Sequence, residues 1–207
     1  MNHHDFTAER MAIIRHAHTY LYYSGLIRPS QYLYSLTLHN AKHAYRVLTH
    51  SIILASKINL TNYETDVLCT AAVYHDIGRI NDGVDASHGF RSWLKFAHNF
   101  CPKDISEEKR NAIKALIVNH CLEYHSMCDF GDALSQNKRL LLILKDADAL
   151  DRVRNNKLNL QYLHVEESFL LVPFATSLCD NEREFHESII KIVGGSYVYK
   201  TDDGIFS

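Results

Sequence analysis

The chain has 207 residues, of which 46% are hydrophobic and 22% are charged, and its formal net charge at pH 7 is -2. These values are typical of one soluble globular domain, and the near-neutral charge gives no basic field that would attract DNA, RNA or an anionic membrane. No stretch reaches the roughly 20 apolar residues of a membrane span. The five cysteines form no CxxC pair, so we expect free thiols, no disulfide framework and a cytoplasmic protein.

The 14 histidines accompany only 8 glycines and 3 prolines, a balance that favours long helices. Thr61-Asn62-Tyr63-Glu64 has the capping-box pattern that begins a helix. The apolar periodicity predicts eight helices in chain order. Four cover 7–23, 30–57, 88–99 and 138–154, and two near the end cover 166–178 and 182–193. The third begins at Thr61 and ends near Asp76, and the fifth begins after Ser106. The segment 78–87 is predicted to be a loop, and 194–207 either a short hairpin or a loose tail. The predicted fold class is all-α.

Three of the predicted helices direct a polar group into the core. In each one a histidine or aspartate continues an apolar stripe at helical spacing. The stripes are Leu68, Ala72 and His75; Ile113, Ile117 and His120; and Leu141, Leu144 and Asp148. A buried carboxylate is costly unless it is paired or bound to a cation, and imidazole nitrogen and carboxylate oxygen are ligands that Zn²⁺, Mn²⁺ and Fe²⁺ accept. The pattern therefore predicts a metal site.

The second predicted helix carries His39, His43 and His50 on one face. His43 is the favoured ligand because Arg46 follows it within one helical turn, and His39 and His43 have the spacing of a chelating pair. A single histidine on an apolar face is more often a hydrogen-bonded core residue, so the argument depends on the whole set together with the adjacent His75-Asp76.

Five short motifs, read in chain order, resemble those of the HD superfamily of metal-dependent phosphohydrolases: H-x-x-R-V, H-D-I-G-R, H-G, N-H and A-D-A-L-D. The resemblance covers about 36–154. It implies an all-α HD-domain helical bundle with a His/Asp metal site in the core. We expect a single HD domain over 1–207, with an N-terminal helix at 7–23 and C-terminal helices within 166–193 beside the motif-bearing core.

The resemblance also implies that His43, His75, Asp76 and Asp148 hold a divalent ion, which could be Mn, Mg, Fe, Co, Ni or Zn. Asp146 competes with Asp148 in Lys145-Asp146-Ala147-Asp148, and the family's A-D pattern favours Asp148.

Two-metal relatives have further histidine ligands between the HD pair and the final aspartate. His88 and His120 occupy those positions, so one or two ions are expected per chain, with Asp76 bridging two. His39 resembles a position where trinuclear relatives carry a further, often acidic ligand, and its role is left open.

The motif H-D-I-G-R is similar to the H-D-I-G-K of cyclic-dinucleotide phosphodiesterases, with Arg79 in place of the lysine. The G-Y-P signature of those enzymes is absent. The acidic pair of guanosine-polyphosphate hydrolases and the acid that some nucleotidases use near position 79 are also absent. The motif therefore does not assign any of these three substrates.

The predicted function is hydrolysis of a phosphoester or phosphoanhydride bond by metal-activated water, with a nucleotide as the expected small phosphorylated substrate. The predicted catalytic residues are Asp76, Arg79 and His88, and either Asp76 or His88 would take the proton of the water. The predicted substrate-binding cations are Arg46, Arg79, Lys145 and Arg152. For Lys145 and Arg152 a solvated surface position is an equal alternative.

Two other functions are consistent with the same ligand set: a di-iron oxygenase of the HD type, and a non-catalytic ligand-binding HD module. Ligand number and type do not discriminate iron from manganese or magnesium. Intact ligands at every expected position argue against the non-catalytic module. A homodimer is left open, and no sequence feature indicates DNA, RNA or membrane binding.

Overall fold

The computed structural model describes the backbone of residues 7–33, 36–193, 199–201 and 204–206. Within these ranges the fold is all-α apart from one short hairpin, which confirms the predicted class. The helices are α1 (Thr7–Arg15), α2 (Ala17–Leu26), α3 (Ala41–Lys57), α4 (Asn62–Tyr74), α5 (His88–Asn99), α6 (Glu107–Asn119), α7 (Ala133–Gln136), α8 (Lys138–Leu150), α9 (Glu166–Leu170) and α10 (Val172–Val193). Short 3-10 helices cover Pro29–Gln31, Tyr124–Ser126, Asp151–Asn155 and Leu160–Tyr162.

A two-stranded antiparallel hairpin lies at the C-terminal end, where β1 (Tyr199–Thr201) pairs with β2 (Gly204–Phe206). Lys200 lies opposite Ile205 in this register. Of the two alternatives left open for 194–207, the residues described there form the hairpin.

The centre of the bundle is α3, in which 14 of 17 residues are buried. It packs against α4 and α8, while α1, α2 and α10 cover its other sides. The apolar residues of 138–154 also suggest a buried central helix, but α8 has solvent along part of its surface. Burial on all sides requires polar side chains of α3 to find partners inside the protein. Thr49 donates to the Tyr45 carbonyl, whereas Ser51 Oγ and His50 Nε2 have no hydrogen-bond partner among the described residues.

Side-chain caps fix the beginnings of three helices that lead to the core. Asn40 accepts hydrogen bonds from the amides of Lys42 and His43 and so begins α3. Thr61 and Glu64 form the predicted capping box of α4, with the Thr61 amide donating to Glu64 over 2.8 Å. Ser106 caps α6. These side chains satisfy amides that have no carbonyl partner in the first turn.

Several predicted helix boundaries were wrong. The helix predicted over 7–23 is divided at His16, which has non-helical backbone angles although neither glycine nor proline is present. The helix predicted over 30–57 begins only at Ala41 because Asn40 is extended and acts as its cap. The α-helix predicted over 138–154 ends at Leu150 and continues as a 3-10 helix. The predicted gap before 182 is a kink inside α10, at Asn181.

The long C-terminal helix packs against the N-terminal helices through a buried histidine. His186 of α10 stacks on Tyr20 with ring centroids 5.5 Å apart, and it also makes ring contacts with Tyr45 and Phe185. Burial lowers the pKa of His186 to about 3. The neutral ring is therefore strongly favoured in the folded protein.

No helix within the described ranges has the length and apolar character needed to cross a membrane.

We expect His186 to make folding stability fall with acidity. Because its folded pKa lies below the unfolded value of 6.5, its contribution is fully present above that pH and is lost as pH falls toward 3. From pH 7 to pH 5 the loss is about 2 kcal/mol. His186→Phe keeps a ring against Tyr20 but removes the titration, so its stability should depend less on pH.

Urea unfolding at both pH values, with chelator present so that bound metal does not contribute, measures this difference. Equal pH dependence in wild type and His186→Phe would contradict the assignment.

Candidate metal centre

The structure brings together the six side chains that the sequence predicts as metal ligands. All of them lie at helix ends that converge on one side of α3: His43 in the first turn of α3, His75 and Asp76 at the end of α4, His88 at the start of α5, His120 directly after α6 and Asp148 in the last turn of α8. Five are buried, and the Asp148 side chain is 22% exposed. The cluster therefore has one side open to solvent.

Asp76 lies at the middle of this cluster, and its two oxygens face different histidines. Oδ2 lies 3.4 Å from His43 Nε2 and 3.6 Å from His75 Nε2. Oδ1 lies 3.0 Å from His88 Nε2 and 3.5 Å from His120 Nε2. This is the arrangement of a carboxylate that bridges two cation positions.

The distances between the side chains on each side of Asp76 fit atoms that bind the same ion. His43 Nε2 lies 3.2 Å from both His75 Nε2 and Asp148 Oδ1, and His88 Nε2 lies 2.8 Å from His120 Nε2. Ligands at about 2.0–2.2 Å from one ion are roughly 3 Å apart. We call His43, His75, Asp76 and Asp148 the first cluster, and Asp76, His88 and His120 the second cluster.

Hydrogen bonds to the backbone fix the tautomer of three of these histidines. Each ring donates from Nδ1 to the carbonyl three residues earlier: His75 to Ala72 over 2.8 Å, His88 to Asp85, and His120 to Ile117 over 2.7 Å. Because a carbonyl only accepts, Nδ1 carries the proton and Nε2 can present its lone pair to the cluster. Such outer contacts orient and strengthen histidine ligands.

His43 has a carboxylate in this supporting position. Its Nδ1 lies 2.6 Å from Asp151 Oδ2. Asp151 also binds Arg46 and Arg154, and Arg46 Nη1 lies 2.6 Å from Glu182 of α10. Sequence reasoning assigned no role to Asp151, although it closes the A-D-A-L-D motif and is completely buried.

The predicted phosphate-binding cations separate into different roles. Arg46 is 7% exposed and paired with Asp151 and Glu182, so it supports His43 and does not face the centre. This corrects its expected contact with substrate. Lys145 Nζ donates to the carbonyls of His120 and Leu122, each over 2.7 Å, and holds the chain after α6.

Arg79 and Arg152 are the remaining predicted cations. Arg79 Nε donates to Asp76 Oδ1 over 3.1 Å, and its Nη1 donates to the Gly83 carbonyl. Arg152 is exposed and lies near Lys145, whose pKa is lowered first by burial and further by the charge of Arg152. Arg79 is therefore the predicted cation that touches the cluster.

Asp146, the competing carboxylate, is directed away from the cluster. It is fully buried and accepts hydrogen bonds from the amides of His164 and Val165 and from His164 Nδ1. It thus secures the segment before α9. Asp148 faces His43, so the geometry agrees with the choice made from the motif.

The other histidines of the predicted face lie outside both clusters. His39 Nδ1 lies 2.8 Å from Asp82 Oδ1, and its ring meets the His43 ring edge-on at 5.4 Å. His50 is buried in the core and binds the Ala147 carbonyl. His39 is thus adjacent to the centre, whereas His50 has a place in core packing.

Two glycines allow the helix ends to approach one another. A Cβ on Gly78 would lie 2.2 Å from the Ser92 nitrogen, and one on Gly89 would lie 2.6 Å from the Ile117 carbonyl oxygen. Both clashes are with backbone, which cannot give way cheaply. Gly78 therefore lets the chain after Asp76 lie on α5, and Gly89 lets the start of α5 lie on the end of α6.

Comparison with known proteins agrees with this arrangement. The family model described as HD domain matches residues 40–153, more than half of the chain. The chain belongs to the HD domain family. This is the superfamily of metal-dependent phosphohydrolases, whose domains bind divalent metals. Searches of curated proteins and of solved structures found no match.

The charges around the HD centre favour positive charge in each cluster. Burial lowers the pKa values of His43 and His88, but hydrogen bonds to Asp148, Asp151 and Asp76 raise that of His43 to about 10, and Asp76 raises that of His88 to about 10. Burial alone would raise the pKa of Asp76, yet the surrounding histidines hold it well below its usual range.

Each cluster therefore binds a proton among its donors, and a divalent ion can take the place of that charge. The nitrogen and oxygen donors fit Zn²⁺, Mn²⁺ or Fe²⁺. The assignment of individual side chains as ligands stays a prediction.

Substitution of the two competing aspartates separates their roles. Asp148→Ala removes an oxygen 3.2 Å from His43 Nε2, and we expect at least the roughly 10- to 100-fold loss of metal affinity that follows even from outer-shell changes. Asp146→Ala should retain metal but lower the free energy of unfolding by about 1–3 kcal/mol, because the amides of His164 and Val165 lose their carboxylate acceptor.

Metal content per folded chain and urea unfolding measure the two effects. The reverse order, with metal lost only from Asp146→Ala, would make Asp146 the ligand.

Proposed function

We propose that this HD domain hydrolyses a phosphoester or phosphoanhydride bond of a small phosphorylated substrate, with a nucleotide as the favoured class. The observation that carries the proposal is Asp76, whose two oxygens face separate donor clusters beside the guanidinium of Arg79. Two adjacent cation positions next to an arginine suit the charge of a phosphoryl group.

The proposed cofactor is one or two divalent ions among Mn, Mg, Fe, Co, Ni and Zn. When bound, such an ion lowers the pKa of water and polarises a phosphoryl oxygen. The first cluster would hold one ion and the second cluster the other, with Asp76 shared between them.

Arg79 is proposed to bind the phosphoryl group. Its side chain is only 12% exposed, and Nε and Nη1 are used by Asp76 and the Gly83 carbonyl. In the described part of the chain, Nη2 has no hydrogen-bond partner. A guanidinium held in this way can donate to phosphate without first losing its orientation. Arg152 is proposed as a second, more solvated contact at the rim, and Lys145 as a support of the same wall.

Asp76 is the better candidate for accepting the proton of the attacking water. With Nδ1 of His88 donating to a carbonyl, the ring has one lone pair, and that lone pair would be used on the ion. A carboxylate oxygen keeps a second lone pair when it binds an ion. His88 is then proposed as a ligand of the same ion as Asp76 Oδ1, which lies 3.0 Å from its Nε2.

The first test combines elemental analysis of the purified full chain with phosphate release from a nucleotide panel in added Mn²⁺. We expect bound transition metal and release from at least one nucleotide. Asp76→Asn should lose both properties, because it removes the charge shared by the clusters. Asp129→Asn, at an exposed loop position, is the matched control and should behave as wild type.

Other outcomes would redirect the proposal. Phosphate release only from phosphoesters that are not nucleotides would support the hydrolase activity and exclude a nucleotide as the substrate. Two irons without phosphate release would favour the oxygenase. A chain with neither metal nor turnover would be a binding module.

Arg79→Gln provides a second test. Loss of a hydrogen bond to a charged group costs about 1.5–3 kcal/mol, so we expect kcat/KM, measured at saturating metal, to fall by roughly 10- to 100-fold. Arg110→Gln is the control, since Arg110 lies over the Trp93 ring near the start of α6, at the end of that helix away from His120. Steady-state kinetics on the best substrate of the panel would compare them. Equal kcat/KM in Arg79→Gln and wild type would exclude the phosphate contact.

A further inference from the structure

Cys121 follows His120 directly at the end of α6 and lies beside the second cluster. One ring nitrogen of His88, one of His120 and Sγ of Cys121 lie within 4.8 Å of one another. Both histidines are buried, and Cys121 is partly exposed. Among the described residues the other four cysteines belong to no such group.

The geometry of the two histidines beside Cys121 favours a cation between them. Their Nε2 atoms are 2.8 Å apart, and both Nδ1 atoms donate to backbone carbonyls. Two lone pairs would therefore face each other in a buried position unless a proton or a metal ion lies between them.

The two clusters differ in their number of donors. In the described part of the chain, the first cluster contains four side chains, whereas the second has only Asp76 and two histidines. Sγ of Cys121 lies within 4.8 Å of one ring nitrogen of each of the two histidines in the second cluster. Addition of this sulfur would give each position four protein ligands.

The fold holds the thiol against the start of α5. A Cβ on Gly89 would lie 3.1 Å from Sγ, so the absence of a side chain leaves room for the sulfur beside His88. Sγ also donates to the carbonyls of Ala86 and Val118, at 3.5 and 3.8 Å. A thiol is a weak donor, so these long contacts would cost little to give up.

We propose that the thiolate of Cys121 is the fourth protein ligand of the second ion, and that it makes this position prefer Zn²⁺, Co²⁺ or Fe²⁺ to Mg²⁺ or Mn²⁺. This rests on the two-cation centre of the proposed function. On binding, the thiol proton leaves to solvent and a sulfur lone pair forms the bond to the ion, so no electron is transferred. Thiolate is a soft ligand that selects the softer metals.

Titration of the metal-free full chain with Co²⁺ tests the ligand directly by absorption. Wild type should develop visible d–d bands and a near-ultraviolet sulfur-to-cobalt charge-transfer band. Cys121→Ser should keep the d–d bands and lose the charge-transfer band. Cys128→Ser, at an exposed position seven residues later, should retain both.

Metal competition gives a second readout. Cys121→Ser and Cys121→Ala should lower the Zn²⁺ affinity of the second position by at least about tenfold, the smaller effect seen for outer-shell partners. The affinity for Mn²⁺ should be unchanged. In wild type, which avoids any folding defect, Zn²⁺ should protect Cys121 from alkylation but leave Cys128 reactive.

The outcomes distinguish this proposal from the proposed function. Visible bands without a charge-transfer band in wild type would exclude Cys121 as a ligand and leave the hydrolase proposal unaffected. A charge-transfer band that survives in Cys121→Ser would also overturn it. No cobalt bands at all would remove the metal centre, and with it both proposals.

Discussion

Asp76 is a buried carboxylate whose two oxygens each face a pair of imidazole nitrogens. Such a group is unfavourable in a protein core unless positive charge lies close to both oxygens. Much of the local architecture meets this condition: helix ends converge on one point, and Gly78 and Gly89 remove the side chains that would keep α5 away. The bundle is organised around a charge requirement as well as around its apolar core.

The supporting hydrogen bonds explain how histidines at helix ends become oriented donors. His75 and His120 each fold back onto a carbonyl of their own helix, at Ala72 and Ile117. The last carbonyls of a helix have no amide partner, so the same bond satisfies the backbone and fixes the ring. A histidine at the end of a buried helix therefore needs little additional structure to point Nε2 outward along the axis.

The sequence allowed the fold class and the clustered side chains to be predicted because His75, His120 and Asp148 continue apolar stripes, which are local patterns. Asp151 was missed because its role depends on Arg46 and His43 of another helix. Arg46 was expected to bind phosphate for the same reason, because the sequence does not show that it pairs with Asp151 and Glu182. The break at His16 has no glycine or proline to mark it, and only packing determines it.

Glu182 lies on α10, outside the stretch that matches the family, yet it pairs with Arg46 and through Arg46 reaches Asp151 and His43. A boundary drawn by family resemblance at residue 153 would therefore divide a buried ionic network. It would leave the Arg46 guanidinium short of a counter-charge, a condition that is strongly unfavourable inside a protein. The ionic network behind the candidate metal centre thus extends beyond the matched stretch and includes the C-terminal helix.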